Sequence, residues 1–142
     1  YSIRKNANMI GIGRDNVVKV EADEAGRIKP DALESAIKAD RAAGKTPFLI
    51  VATAGTTVMG AFDPIDPLAD IAKRHSLWLH VDGAFGGTAL MHPEHKRLLA
   101  GLERADSFAW DAHKAMGVPL TCSVALTPEP GLMREHFDDS AS

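Results

Sequence analysis

A chain of 142 residues with 45% hydrophobic and 25% charged residues matches one ordinary globular domain with enough apolar material for a core. Its formal net charge of -3 gives no electrostatic footprint for nucleic acid or an acidic membrane surface. Cys122 is the only cysteine, which excludes an intrachain disulfide and points to a reducing compartment, with the cytoplasm as the expectation.

No apolar run reaches membrane-spanning length, and the opening YSIRKNANMI lacks a signal-peptide core. The chain starts on Tyr1 rather than Met and ends in the polar stretch DDSAS, so it reads as a piece of something longer. Ile3 to Ile12 is expected to form a short helix that ends near Gly11 or Gly13. Val17 to Val20 is a β-branched run of strand type, and EADEAG turns away from it. Pro30 suits the first turn of a helix, because its missing amide proton is not needed there; Leu33 and Ile37 continue that helix to about Ala43, where Gly44 stops it.

Phe48 to Ala54 (FLIVATA) is a continuous apolar run, as for a parallel strand buried on both faces. TAGTT and GAFDP follow as loop, Leu68 to His75 has helical periodicity, and Leu77 to Val81 reads as another buried strand. Glu94 to Leu102 reads as a short helix, Ser107 to Trp110 as a strand, and Val124 to Leu126 as a last strand before the turn PEPG. Strands alternating with helices over short connections predict an α/β layer with a mostly parallel sheet and flanking helices.

In such a sheet, ligands collect at the carboxyl ends of the strands. Three predicted strands end in small and polar residues: Gly55, Thr56 and Thr57; Asp82 to Gly87; and Asp111, Ala112, His113 and Lys114. With the strands side by side, hydroxyls, a carboxylate, an imidazole and an amine would meet in one pocket. A lysine between apolar neighbours at a strand end is costly to bury unpaired, and partial burial is one route to a nucleophilic amine. Taken singly, Asp82 could cap a turn, Thr57 could serve a loop backbone and Lys114 could be a surface charge.

Other constellations carry less. His92 and His95 flank Pro93-Glu94 with no metal-ligand spacing, so no metal site is expected, and His80 shares a strand face with Asp82 but reads as a packed histidine. Gly83, Gly86 and Gly87 lack the order of a dinucleotide fingerprint, and Cys122 reads as a small buried residue.

TAGTT, HVDGAFGG and DSFAWDAHKAMGVPLTCS, in this order and at these separations, resemble the group II pyridoxal-phosphate-dependent amino-acid decarboxylases. The resemblance runs along nearly the whole chain and takes in Tyr1-Ser2, Gly11, Pro47-Phe48, Gly60 to Pro64 and Gly101. It implies the large domain of the aspartate-aminotransferase-like fold (fold type I), of which residues 1–142 would be the central part, with the N-terminal segment and C-terminal small domain absent. It also implies pyridoxal 5'-phosphate as cofactor, an L-amino acid as substrate and a homodimer with sites at the subunit interface.

By the same resemblance Lys114 would hold the cofactor as an internal aldimine, and Asp82 would pair with the pyridine nitrogen. Ala84 would lie against a ring face, and Thr57 would contact the ring or its substituents. His113 would sit near the phosphate or the reacting centre, as proton donor or as orienting group. The chain departs from the pattern at Asp111-Ala112, where the family commonly has Asn-Pro, and at Gly83, where alanine is usual; Phe85 stands where the glutamate decarboxylases carry a bulkier aromatic. The family's stacking histidine would directly precede Tyr1, and its mobile loop with a catalytic tyrosine would follow Ser142. An aminotransferase or lyase of the same fold, or a non-catalytic cofactor-binding relative, are the competing expectations.

Overall fold

The computed structural model describes residues 2–138; Tyr1 and the last four residues of the polar end lie outside them. The sheet is built from β1 (Leu49–Thr53), β2 (Trp78–Asp82), β3 (Ser107–Asp111) and β4 (Ser123–Leu126), and its order in space repeats the order in sequence. β1, β2 and β3 are parallel, and β4 returns antiparallel beside β3. Four helices accompany them among the described residues: α1 (Ser2–Met9), α2 (Pro30–Ala42), α3 (Ile65–His75) and α4 (Leu132–Phe137).

The helices form where the sequence supplies both a start and an apolar stripe. Pro30 occupies the first turn of α2, and Leu33 and Ile37, one turn apart, are its buried residues. α3 buries Ile65, Leu68, Ala69, Ile71 and Ala72, and Lys73, Arg74 and His75 bring positive charge to its carbonyl end. It begins three residues earlier than periodicity suggests, because Pro67 falls in the first turn, where an amide has no intrahelical partner. Parallel strands need a crossover, and α3 provides it from β1 to β2.

One core results. Ile50, Ala52, Leu79, Val81 and Phe108 of the sheet pack with the buried residues of α2 and α3. β1 and β2 both alternate along their length, so only one face is buried; Trp78 is exposed, and His80 and Asp82 beside it are half-buried. The expectation of strands covered on both faces therefore does not hold for the described residues.

Two further expectations are corrected. Val17 to Val20 forms no strand: the one bridge nearby joins Ala22 and Ile28, and an apolar cleft separates Val18 and Val20 from the Leu49–Val51 edge. A β-branched run favours extended backbone, but a strand also needs a partner for its amides. Glu94 to Leu102 is not one helix but two 3-10 turns, Lys96–Leu99 and Leu102–Arg104, split at Ala100 and Gly101. Gly101 has φ 91°, and a Cβ there would lie 2.7 Å from the Asp66 carboxylate. Right-handed helix needs a negative φ, so the backbone turns out of helical conformation at Gly101, and the nearby Asp66 carboxylate leaves no room for a side chain there.

Candidate active site

Three strand ends meet on the half-buried face of the sheet. Thr53 is in register with Asp82, and Asp82 with Ala109. Side chains alternate across a strand, so Asp111 returns to that same face two residues later, opposite Ser123 of β4. The backbone binds these ends together: the Ala54 amide donates to Asp82, Gly83 to Ala109, and Asp111 to Ala84, at 2.8, 2.9 and 3.2 Å.

Asp82 ends β2, where its Oδ1 accepts the Ala84 amide at 3.1 Å. That bond fixes one carboxylate oxygen and holds Ala84 directly beyond it. Two residues back on the same face, the Nδ1 of His80 lies 2.8 Å from the Ser107 hydroxyl, which also accepts Trp78 Nε1 at 2.8 Å. Burial pushes the His80 imidazole below its ordinary range, with the Asp82 charge opposing. It is a packed, hydrogen-bonded histidine, and no group of three or more His, Cys, Asp or Glu among the described residues could hold a metal ion.

Lys114 lies three residues beyond β3's last residue, in a turn whose Lys114 amide donates to the Asp111 carbonyl at 3.1 Å. That turn folds the side chain back onto the strand end, where its Nζ is 2.8 Å from Asp111 Oδ2. The Lys114 side chain is 42% exposed and that of Asp111 only 19%, so the carboxylate is the anchored partner. Hydrogen bonds from Lys114 first and then Ser123 hold the Asp111 carboxyl below the usual carboxylate range, aided by the charges of Lys114 and His113. His113 is held through Nδ1, which lies 3.1 Å from the Cys122 amide and 3.0 Å from its carbonyl. A neutral Nδ1 accepts the first and a protonated one donates to the second, so either state keeps the ring in place.

Thr57 occupies the exposed turn after β1. Its neighbour Thr56 holds that turn together, with Oγ1 accepting the Ala61 amide at 3.0 Å. Sequence reasoning singled out Lys114, His113, Asp82, Ala84 and Thr57 but missed the Asp111–Lys114 pair and Ser123 opposite it. The i,i+3 spacing of opposite charges across a turn could have suggested the pair; the Ser123 register depends on the path of the intervening loop. Cys122 is half-buried and tied to His113 only through its backbone.

Glycine at position 83 has a local cause. A Cβ on Gly83 would fall 2.3 Å from Cε2 of Phe108, and one on Gly87 would fall 2.8 Å from both Phe108 and Trp110. These glycines admit two large aromatic rings of β3 beneath the strand-end loop.

Comparison with known proteins bears on this arrangement directly. A family model described as the pyridoxal-dependent decarboxylase conserved domain matches residues 1–140. Acidic amino acid decarboxylase GADL1 of Bos taurus is 46% identical, over 100% of this chain and 27% of that protein. Cysteine sulfinic acid decarboxylase of Rattus norvegicus is 52% identical, over 89% of this chain and 26% of that one. A crystal structure of mouse CSAD superposes with a TM-score of 0.95 at 47% identity, covering 99% of this chain and 30% of that chain. This chain thus spans about a quarter of the length of the curated relatives it matches. The side-by-side strand ends, the parallel sheet with one antiparallel strand and the matched residues agree on one assignment: the chain belongs to the pyridoxal-dependent decarboxylase family.

Proposed function

We propose that the protein decarboxylates an acidic L-amino acid with pyridoxal phosphate held at the strand ends of this sheet. The observation that carries the reading is a carboxylate and an amine on adjacent parallel strand ends, Asp82 on β2 and Lys114 just beyond β3. The donor set fits the cofactor: an amine for its aldehyde, a carboxylate for its ring nitrogen, and the small Ala84 beside that carboxylate. The printed names of the relatives, an acidic amino acid decarboxylase and a cysteine sulfinic acid decarboxylase, support an acidic substrate.

In this reading Lys114 binds the cofactor aldehyde through its Nζ and later yields that position to the substrate amine. Asp82 keeps a proton at the pyridine nitrogen, since a carboxylate within a few ångströms favours the cation. Bound there, pyridoxal phosphate supplies an electron sink for the carbanion left when carbon dioxide departs. Ala84 leaves room against one ring face, and Thr57 contacts the ring edge. His113, already oriented through Nδ1, serves the phosphate or the reacting centre through Nε2. The working unit is a homodimer, and the single cysteine is consistent with a cytoplasmic setting.

The test is the visible absorbance of the intact protein with pyridoxal phosphate, beside a Lys114→Ala variant. A yellow band in the parent that the variant lacks, with carbon dioxide released from an acidic amino acid, is the expected result. A band that survives Lys114→Ala would remove the central residue from the proposal. Retention of the band with amino-group transfer and no carbon dioxide would favour an aminotransferase.

A further inference from the structure

On the site face of β2 the side chains of Trp78, His80 and Asp82 follow one another, and Ser107 of β3 stands in register with His80. An indole N–H only donates, so Trp78 Nε1 gives its proton to the Ser107 hydroxyl oxygen at 2.8 Å. The Ser107 hydroxyl then has one proton of its own to give, and its other partner is His80 Nδ1, also at 2.8 Å. All three groups are satisfied when Nδ1 accepts, which puts the imidazole proton on Nε2. Burial favours the neutral ring that this arrangement needs, with the Asp82 charge opposing.

The register leaves Asp82 as the polar neighbour for that N–H. On its other side His80 faces the apolar Val51 of β1, and along the strand the Trp78 indole is already committed to Ser107. Asp82 gives Oδ1 to the Ala84 amide at 3.1 Å, and no donor among the described residues holds its Oδ2. We infer that His80 is a positioning residue for Asp82: Trp78 and Ser107 fix its tautomer, and its Nε2–H steadies the carboxylate that faces the cofactor's ring nitrogen. The inference rests on the role of Asp82 proposed above.

Two residues of strand separate the side chains by about 6.5–7 Å at the backbone, and no direct hydrogen bond joins them. An imidazole closes most of that gap, and one bridging water closes the rest. A carboxylate held at Oδ1 alone can swing its second oxygen, whereas a donor on the strand side limits that swing and leaves the outer lone pairs for a cation. A neutral donor suits this task, because an imidazolium would itself pair with Asp82 and compete with the ring nitrogen. A hydrogen bond of this kind corresponds to about three- to tenfold in cofactor affinity.

The experiment uses the intact protein and has two readouts. In the cofactor-free form, nitrogen-labelled histidine reports the His80 tautomer by NMR, the His80 signal being the one that His80→Phe removes. The expected proton is on Nε2 in the parent, and Ser107→Ala should yield a mixture of tautomers. Equilibrium dialysis then gives the affinity for pyridoxal phosphate of parent, His80→Phe and His80→Gln, each with Asp82 and with Asp82→Asn. His80→Phe should weaken binding about three- to tenfold when Asp82 is present, and His80→Gln, whose amide N–H replaces Nε2–H, should recover part of that. Neither should matter once Asp82→Asn is in place. A proton on Nδ1, no loss in His80→Phe, or an equal loss in both backgrounds would overturn the inference; the last would mean that His80 merely fills space. If Asp82→Asn by itself leaves the affinity unchanged, the proposed role of Asp82 falls, and the inference with it.

Discussion

Asp63 accepts the Ile28 amide at 2.7 Å through one carboxylate oxygen and the Thr53 amide at 2.6 Å through the other, at only 6% exposure. It ties Ile28, in the extended segment before α2, to the end of β1, just where the candidate site begins. Removing it leaves two amides without partners, so Asp63→Ala should cost about 2–3 kcal/mol in the denaturant unfolding of the intact protein. Asp63→Asn keeps one acceptor and should cost less. Burial raises the Asp63 carboxyl above its ordinary range, against the two hydrogen bonds that lower it. A raised carboxyl binds its proton more readily in the folded state, so stability from this group falls as pH rises through the carboxylate range. Asp111 has the opposite sign. Its lowered carboxyl contributes stability above the unfolded value of 3.8, and that contribution is lost as pH falls through the depressed folded value. Measured from about pH 4 downward, Asp111→Asn should flatten the acid limb of the denaturant-midpoint curve. An unchanged limb would mean that the Lys114 pair adds nothing to folding.

At the scale of elements, packing is close where β2 ends against β3. Gly83 and Gly87 leave the space that Phe108 and Trp110 fill, and Trp110 Nε1 donates to the Thr88 hydroxyl at 3.1 Å above them. Gly83→Ala should therefore cost about 1–3 kcal/mol by overpacking, and Phe108→Leu in the same chain should recover part of that loss. Additive costs in a double-mutant cycle would show that the two positions do not share this space. The same neighbourhood marks how far a sequence can be read. Pro30 with Leu33 and Ile37 announces α2 by chemistry local to the helix, and the apolar runs announce β1, β2 and β3. Val18 and Val20 mislead because extended preference is local whereas strand pairing is not. The Glu94–Leu102 segment misleads because its apolar spacing suggests one helix, whereas Ala100 and the left-handed Gly101 break it into two short turns. Lys114 and Asp82 were legible as strand-end residues; Ser123 was not, since its place opposite Asp111 depends on how the intervening loop closes.

Taken whole, the described residues leave much apolar surface in water. Val58 is 94% exposed, Leu120 81% and Phe137 78%, and the edges of β1 and β4 carry no partner among the described residues. Open edges and apolar patches favour association. The isolated polypeptide 1–142 should run as aggregates or oligomers in size-exclusion chromatography and unfold without a sharp transition. A monomer with one cooperative transition would show that this part is self-sufficient.

Spatial order that repeats chain order also gives the sheet a direction of growth. Each strand can dock on a neighbour already synthesised, with modest loop-closure entropy at every step, so β1 can serve as template for β2 and β2 for β3 during synthesis. Along that path the carboxylate of Asp82 exists before the amine of Lys114. A nascent chain halted at the end of β2 would carry only half of the proposed site, and the proposed loading of the cofactor would wait for β3 and the turn that follows it.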